Sequence, residues 1–309
     1  MALVPQPHDK FFKETLSDIH TAKDFLQNYL PREILAVIDV DTITPQKDSY
    51  IEIELTEAFS DLLFRTKINQ KEGYIYFLFE HKSYPSKKIT LQLLKYILKI
   101  WEQKTKEQET DKLPVIIPLV VYHGRGGWNI SPKLSGIIED YARLPEAITK
   151  YIPEYEYILY NISAYSNEEI KGSVKLRIFL QVLRDIFEQD YEQFLQTLKE
   201  AMSAFNRLEK QEKGIEYFET FIRYIMNARN DLELKTVYEI AKEISLERSE
   251  IIMTIAEKLI AEGIEKGIEK GMEKGKLEVA GNLLALGIEM DKIIKATGLT
   301  EDEIKKLMN

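Results

Sequence analysis

Two apolar runs, 75–79 and 113–121, lie on either side of one amphipathic segment, and this order limits the fold more than any other feature. The segment 86–103 predicts a helix, because apolar residues recur in it at helical spacing. The second run is typical of a buried central strand that is reached after a crossover helix. The sequence therefore predicts an α/β core in which a mixed sheet is flanked by helices.

The elements before this unit follow from similar patterns. A helix is predicted over 9–29, where Pro31 ends it, and strands are predicted over 60–68 and 74–81. The polar segment 69–73 between these strands suits a hairpin connection, so the strands should be neighbours. Residues 50–55 alternate Ile and Glu, which fits a half-exposed strand, although the spacing that follows fits a helix equally well.

Near residue 165 the chain changes from aromatic and β-branched runs to long amphipathic segments rich in Glu, Lys and Leu. This change predicts an α/β domain over 1–165, a helical bundle over 166–250 and an assembly or regulatory region over 251–309. The C-terminal half should be entirely α-helical.

Glycine recurs every four positions in the last region, at Gly263, Gly267, Gly271 and Gly275. Such a row is costly in an isolated helix, and either the helix is solvated and frays or the glycines admit a partner helix. We expect the latter, with the same helix of a second copy as partner, which makes the protein a homo-oligomer, most simply a dimer.

The chain after residue 277 predicts three short helices broken at Gly287 and Gly298, and residues 296–300 resemble the turn of a helix-turn-helix. The last helix begins with three acidic residues, whereas a helix that reads DNA presents neutral or basic ones. We therefore expect a protein-interaction or regulatory module here.

Composition excludes several classes of protein. The chain has no cysteine, which rules out disulfides and thiolate metal sites or nucleophiles. Its net charge of −9 argues against a protein that coats nucleic acid non-specifically. We expect no signal peptide and no membrane span, and a cytoplasmic location.

An acidic constellation carries the predicted chemistry. Glu80 and Lys82 share one face at the end of the 74–81 strand, and Asp61 begins the strand across the hairpin. Two carboxylates are a minimal holder for Mg²⁺ or Mn²⁺, which hydrolysis of a phosphodiester needs. Lys82 would position or deprotonate the attacking water. The same residues can also form an ordinary exposed ion pair.

Weaker candidates surround this constellation. Gln92, on the following helix, could hydrogen-bond the phosphate or the water, and Lys88, Lys95 and Arg65 could hold the nucleic-acid backbone.

Several other residues attract attention on chemical grounds. Asp9 is expected to start a helix. His123 ends the buried strand and either reaches the site or marks the turn. The glycine-rich segment 124–127, which contains Arg125, lacks the ending of a nucleotide-binding loop, so we interpret it as a turn that skirts the substrate.

Four segments, 7–13 (PHDKFFK), 60–65 (SDLLFR), 77–83 (FLFEHKS) and 117–124 (IPLVVYHG), together resemble the recombination-promoting nuclease/putative transposase family, a branch of the PD-(D/E)XK nuclease superfamily. The resemblance covers most of residues 7–135. The C-terminal Glu-Gly-Lys repeats are also similar to those of this family.

The resemblance implies a restriction-endonuclease-like core, DNA cleavage that depends on a divalent metal, and a role in recombination or mobile-element biology. Asp61 matches the first acidic position of the family motif, Glu80 the second, and Lys82 the third position, where many members have Gln. Two alternatives stay open: a nuclease-like core that serves binding or assembly, and a nuclease that acts on RNA or on single strands.

Overall fold

The computed structural model describes residues 7–46, 60–80, 87–108, 112–208 and 214–308. They fall into two compact units, one ending at residue 249 and the other beginning at residue 250. Residue 165 lies inside the first unit, so the three-part division into domains stays a prediction. No helix in the described ranges is both long and apolar enough to cross a membrane.

A five-stranded mixed sheet lies in the first unit. Its order follows the chain: β1 (Ile38–Gln46), β2 (Ser60–Ile68), β3 (Lys71–Glu80), β4 (Val115–Tyr122) and β5 (Ile158–Asn161). The first three strands are antiparallel, whereas β4 runs parallel to β3 and β5 parallel to β4. The predicted mixed sheet is thereby confirmed.

Helices account for most of the remaining chain. They are α1 (Pro7–Leu16), α2 (Ile19–Tyr29), α3 (Arg32–Leu35), α4 (Ile89–Gln108), α5 (Glu146–Thr149), α6 (Val174–Asp185), α7 (Tyr191–Leu208), α8 (Gly214–Ala228), α9 (Leu234–Ile244), α10 (Leu246–Ala285), α11 (Met290–Thr297) and α12 (Glu301–Lys305). The predicted crossover helix is α4, and the all-helical C-terminal region is confirmed.

The predicted helix over 9–29 is wrong in one respect, because it is divided into α1 and α2. Asp18 interrupts it in an extended conformation and caps α2, accepting hydrogen bonds from the backbone of His20 and the hydroxyl of Thr21. A side chain that bonds nearby backbone competes with the helix and favours such a break. Asp18 also forms an ion pair with Lys175 of α6.

Both faces of the sheet are covered. On one face α4 contributes Leu93 and Tyr96 to a buried cluster with Leu63 of β2 and Tyr76 of β3. On the other face the ring of Phe25 in α2 packs edge-on against Phe77 and Tyr160. Tyr96 is itself buried among the tyrosines of this cluster.

The C-terminal region departs from the expected three short helices. Residues 246–285 form one helix of 40 residues, so the first of the three predicted short helices is the end of this longer helix. Glycine costs only about 1 kcal/mol at each helical position, and no proline interrupts the segment. The breaks at Gly287 and Gly298 are confirmed, since both glycines have positive φ angles. Thr300 and Glu303 then form a capping box that starts α12.

The hairpin between β2 and β3 is tighter than the predicted connection 69–73. Residues 71–73 already pair with 66–68, which leaves a turn of two residues, Asn69 and Gln70. Both have positive φ angles, of 51° and 64°. This is the geometry of a type I′ turn, whose twist matches that of the strands and which favours glycine in second place.

Replacing Gln70 with glycine should therefore stabilise the protein. Glycine adopts positive φ without the steric cost that glutamine carries, so Gln70→Gly should raise the free energy of unfolding by about 0.5–1 kcal/mol. Denaturant unfolding measures this, with Gln70→Ala as the control that should bring no gain. An equal gain from alanine would show that the turn is not strained at this position.

Candidate active site

The register of β2 and β3 places the two predicted metal ligands on one face of the sheet. Asp61 pairs with Leu78, and Glu80 lies two residues further along β3. Paired residues share a face, as do residues two apart on one strand. Diagonal neighbours of this kind are about 7–8 Å apart between their Cα atoms. The backbone thus holds positions 61 and 80 at a separation that one metal ion can bridge.

This face is the one that α4 covers. Leu63, two residues from Asp61, and Tyr76, four residues from Glu80, both belong to the buried cluster beneath the helix. Glu80 is also paired with Tyr122 at the end of the parallel strand β4. The acidic positions therefore lie at the end of the sheet where β2 begins and where the inner strands β3 and β4 end. This end is called the strand edge below. The side chains of Asp61 and Glu80, and the whole of Lys82, lie outside the described residues.

Gln92 is brought to the same face by α4. It lies between the fully buried residues Ile89 and Leu93, which pack on the sheet. Its side-chain nitrogen is buried and has no hydrogen-bond partner within the described part of the chain. A buried amide donor without a partner normally costs free energy.

The predicted cations Lys88, Lys95 and Arg65 lie at the protein surface. Lys88 and Lys95 are exposed at the surface near the start of α4. Arg65 is half exposed and pairs with Glu72 at 3.9 Å. It stands four residues along β2 from Asp61, a distance of about 13 Å at the usual rise of a strand. Exposed cations of this kind could follow the backbone of a long polymer.

Tyrosines line the cluster under α4. The Tyr155 hydroxyl donates to the carbonyl of Thr90, the neighbour of Ile89. Burial raises the pKa of Tyr155 and raises the pKa of Tyr157 to about 12, although a hydrogen bond with Trp128 acts against the latter shift. Both hydroxyls therefore stay protonated around neutral pH.

A histidine cluster, which sequence reasoning missed, lies behind the strand edge. The Nε2 atom of His123 is 3.2 Å from Nδ1 of His8, and the same Nδ1 is 2.9 Å from the hydroxyl of Tyr224. His123 is fully buried and stacks on Phe187 at 4.7 Å. It lies on the opposite face from Tyr122, so of the two roles considered it marks and anchors the turn.

The neighbour of His8 also differs from expectation. Asp9 was expected to start a helix, and it does lie in the first turn of α1, but the helix begins earlier, at Pro7. Asp9 is buried, with 5% of its surface exposed. No local pattern relates residues 8, 123 and 224, because the contacts join α1, the end of β4 and α8 across most of the unit.

Metal-ligating residue types are scattered over the described side chains. Within the described side chains there is no group of three or more His, Asp or Glu residues that could hold a metal ion. The side chains of Asp61 and Glu80 are not among these described side chains. A metal centre at these two positions consequently rests on strand register and on the chemistry of the residue types.

The fold and site define an α/β protein with acidic positions on adjoining strands of a mixed sheet. Residues 6–213 match the family described as "Putative transposase, YhgA-like", and residues 273–309 match "Rpn/YhgA-like nuclease family, C-terminal HTH domain". The chain belongs to this family of Rpn/YhgA-like proteins, as its motifs predicted. The second match agrees with the helix-turn-helix resemblance of residues 296–300.

Curated relatives extend over almost the whole chain. Recombination-promoting nuclease RpnA of Escherichia coli strain K12 is 27% identical over 298 residues, which cover 96% of each protein. RpnC of the same strain is 27% identical over 308 residues, 98% of this chain and 97% of the relative. The inactive recombination-promoting nuclease-like protein RpnE is 24% identical over 298 residues, 96% of each. No solved structure matches the chain.

The unpartnered amide of Gln92 makes a prediction about stability. Gln92→Leu keeps the size of the side chain and removes a buried donor, so the free energy of unfolding should stay the same or rise by up to about 1 kcal/mol. Leu93→Ala, one residue further on, should lower it by about 2–5 kcal/mol through a cavity. Denaturant unfolding of both variants checks this, and a marked loss with Gln92→Leu would mean that the amide is bonded in the folded protein.

Proposed function

We propose that this protein is a recombination-associated nuclease that hydrolyses phosphodiester bonds of DNA with Mg²⁺ or Mn²⁺. The observation that carries the proposal is the register of β2, β3 and β4, which makes positions 61 and 80 diagonal neighbours on one face of the sheet. Gln92 of α4 lies on the same face. Relatives named recombination-promoting nucleases, similar over nearly the full chain, support it.

The residue types fit a hard divalent cation. Mg²⁺ is bound through one or two carboxylates and retains water molecules, and Asp61 and Glu80 would supply those carboxylates. When bound, such an ion polarises a phosphoryl oxygen and makes water a better nucleophile near neutral pH. An acidic chain also needs a local positive charge before a phosphodiester can approach two carboxylates.

The chain's own groups complete the site in this proposal. Lys82 follows Glu80 by two residues in the sequence, and we assign it to hold the attacking water or to accept its proton. Gln92 donates its side-chain N–H to a phosphate oxygen, which satisfies the amide that is otherwise without a partner. Lys88 and Lys95, exposed along α4, contact the nucleic-acid backbone further from the reacting bond.

A second function is favoured by one comparison. A relative that covers 96% of this chain is named inactive, so the family fold also exists without cleavage. In that case the same core would bind nucleic acid or a partner protein without hydrolysis. RNA or single-stranded DNA is a further possible substrate, since two carboxylates and a lysine specify the reaction and leave the polymer open.

Cleavage of supercoiled plasmid tests the nuclease directly. With Mg²⁺ or Mn²⁺ the wild type should nick and linearise plasmid, and EDTA should stop the reaction. Asp61→Asn and Glu80→Gln should each lower the rate at least about 100-fold, because several kcal/mol of transition-state stabilisation depend on these ligands.

Matched variants separate this effect from a general effect of charge. Asp41→Asn lies on the neighbouring strand β1 and Glu102→Gln on α4, both exposed, and both should cut like the wild type. Cutting by the site variants at the rate of these controls would disprove the assignment. If no metal supports cutting of plasmid, single-stranded DNA or RNA, the binding function takes its place.

We also propose that α10 joins two copies of the chain. Ile260, Ile264, Ile268 and Met272 recur every four residues and are between 59% and 61% exposed. A Cβ atom built at Gly267, Gly271 or Gly275 meets nothing within 4 Å. An apolar ridge thus runs beside a row of glycines, and ridges of one helix pack into grooves of another. The surface is complementary to itself.

The C-terminal helix-turn-helix is assigned to protein contacts. Glu301, Asp302 and Glu303 fill the first turn of α12, the part of a recognition helix that meets base edges in DNA complexes. Three carboxylates there would face the negatively charged backbone. We therefore propose that this module regulates or assembles the nuclease and does not read a DNA sequence.

Charge placed in the ridge should break the assembly. Ile264→Lys together with Ile268→Lys should shift the protein towards the monomer in sedimentation velocity runs, since two buried cations would lose their hydration. Glu265→Lys together with Glu269→Lys changes the charge of neighbouring positions outside the ridge and serves as control. A wild type that is monomeric at all concentrations would reject the proposal.

A further inference from the structure

The loop after β4 is held firmly at the edge of the sheet. It begins directly after His123, and the preceding residue, Tyr122, is the strand partner of Glu80. The Tyr122 hydroxyl donates to the carbonyl of Gly126 at 2.8 Å, and the backbone N–H of Gly124 donates to the Ser163 hydroxyl at 3.0 Å. The loop is therefore fixed at both its start and its middle, next to the acidic positions.

Arg125 extends from the middle of this loop. Its guanidinium lies over the ring of Phe187, 5.3 Å from the ring centroid, while the Arg125 side chain stays exposed. Phe187 is itself stacked on the buried ring of His123. A guanidinium that rests on a fixed aromatic ring loses less freedom when it forms further hydrogen bonds, and its N–H groups stay free to point outwards.

Arg125 borders an open cavity of about 350 Å³, whose lining also includes Phe187, Arg229, Asn230 and Asp231. The second arginine is fully engaged. Arg229 donates to both carboxylate oxygens of Asp231, at 2.9 and 2.6 Å, and to the carbonyl of Glu188. The lining also includes Glu188, so the cavity holds two acidic and two basic residues. Arg125 has no ion pair among the described side chains, which makes it the cation that an incoming anion can pair with.

We propose that Arg125 binds a backbone phosphate of the nucleic-acid substrate and so positions the strand across the acidic site. This inference rests on the proposed function and adds a substrate-positioning residue that neither the motif nor the pattern of acidic residues indicates. The planar fork of arginine suits two oxygens of one phosphate, whereas a lysine offers a single point charge.

The location fits this role. Arg125 follows Tyr122 by three residues, so its Cα atom is within about 11 Å of the strand end that pairs with Glu80. Neighbouring nucleotides of one strand rise by about 3.4 Å. The Arg125 guanidinium rests on Phe187, which stacks on His123, and His123 lies on the opposite face from Tyr122. A strand bound by Arg125 therefore passes around the end of β4, and the bound phosphate is several nucleotides from the bond at the acidic site. The chain has a net charge of −9, which repels a polyanion, and a preorganised cation at this place attracts it locally.

Binding and cleavage are measured separately to test this. Fluorescence anisotropy with a labelled DNA duplex in EDTA gives Kd at several salt concentrations, and plasmid cleavage with Mg²⁺ or Mn²⁺ gives the rate. Arg125→Ala should raise Kd about tenfold for any sequence and lower the slope of log K against log salt by about 1, the loss of one phosphate contact. The cleavage rate at saturating DNA should be nearly unchanged.

Two variants serve as comparisons. Arg125→Lys should keep the salt slope but recover only part of the affinity, because the charge remains and the fork is lost. Arg143→Ala removes a more exposed arginine that pairs with Asp140, and it should leave both Kd and slope unchanged. Thermal unfolding verifies that each variant is folded.

The outcomes separate the two proposals. Metal-dependent cutting by the wild type, with Arg125→Ala indistinguishable from Arg143→Ala in binding, overturns the role of Arg125 and leaves the nuclease intact. DNA binding that depends on Arg125 without any cutting overturns the nuclease and keeps the phosphate contact. A wild type that neither binds nor cuts nucleic acid overturns both.

Discussion

The structure depends first on the hydrogen-bonded register of β3 with its two neighbours. On one side this register pairs Asp61 with Leu78, and on the other it pairs Glu80 with Tyr122. A shift by one residue would move every side chain of the strand to the other face. The acidic positions would then leave the face covered by α4. Backbone pairing therefore determines which residues stand together at this end of the sheet, and any chemistry there depends on that placement.

Burial on both faces is what fixes that register. Tyr74 and Tyr76 point into the cluster under α4, while Phe77 meets Phe25 of α2 on the opposite side. Neither set can be exposed without losing apolar contact, so slipped pairings are excluded. Glu80 is the last residue of this strand.

Three cations of the first unit are engaged in different ways. Lys175 and Arg229 are committed to carboxylates and hold helices to their neighbours, with Asp18 and Asp231 as partners. Arg125 instead rests on an aromatic ring and keeps its charge exposed beside the strand edge. The histidine cluster behind it, which joins α1 to the end of β4, connects the position of this loop to the packing of α8. Assembly of the helices around the sheet thus affects the geometry of the edge.

The sequence by itself determined the strand, crossover helix and strand of the core, the acidic residues and the family, because these depend on periodicity and on short motifs. It did not reveal β1 or β5, which are edge strands with mixed polarity and, for β5, only four residues. The contacts among residues 8, 123 and 224 were decided only by the tertiary structure, as was the stacking of Arg125 on Phe187. These contacts are non-local: each partner looks ordinary within its own segment, and only the packing of distant elements brings them together.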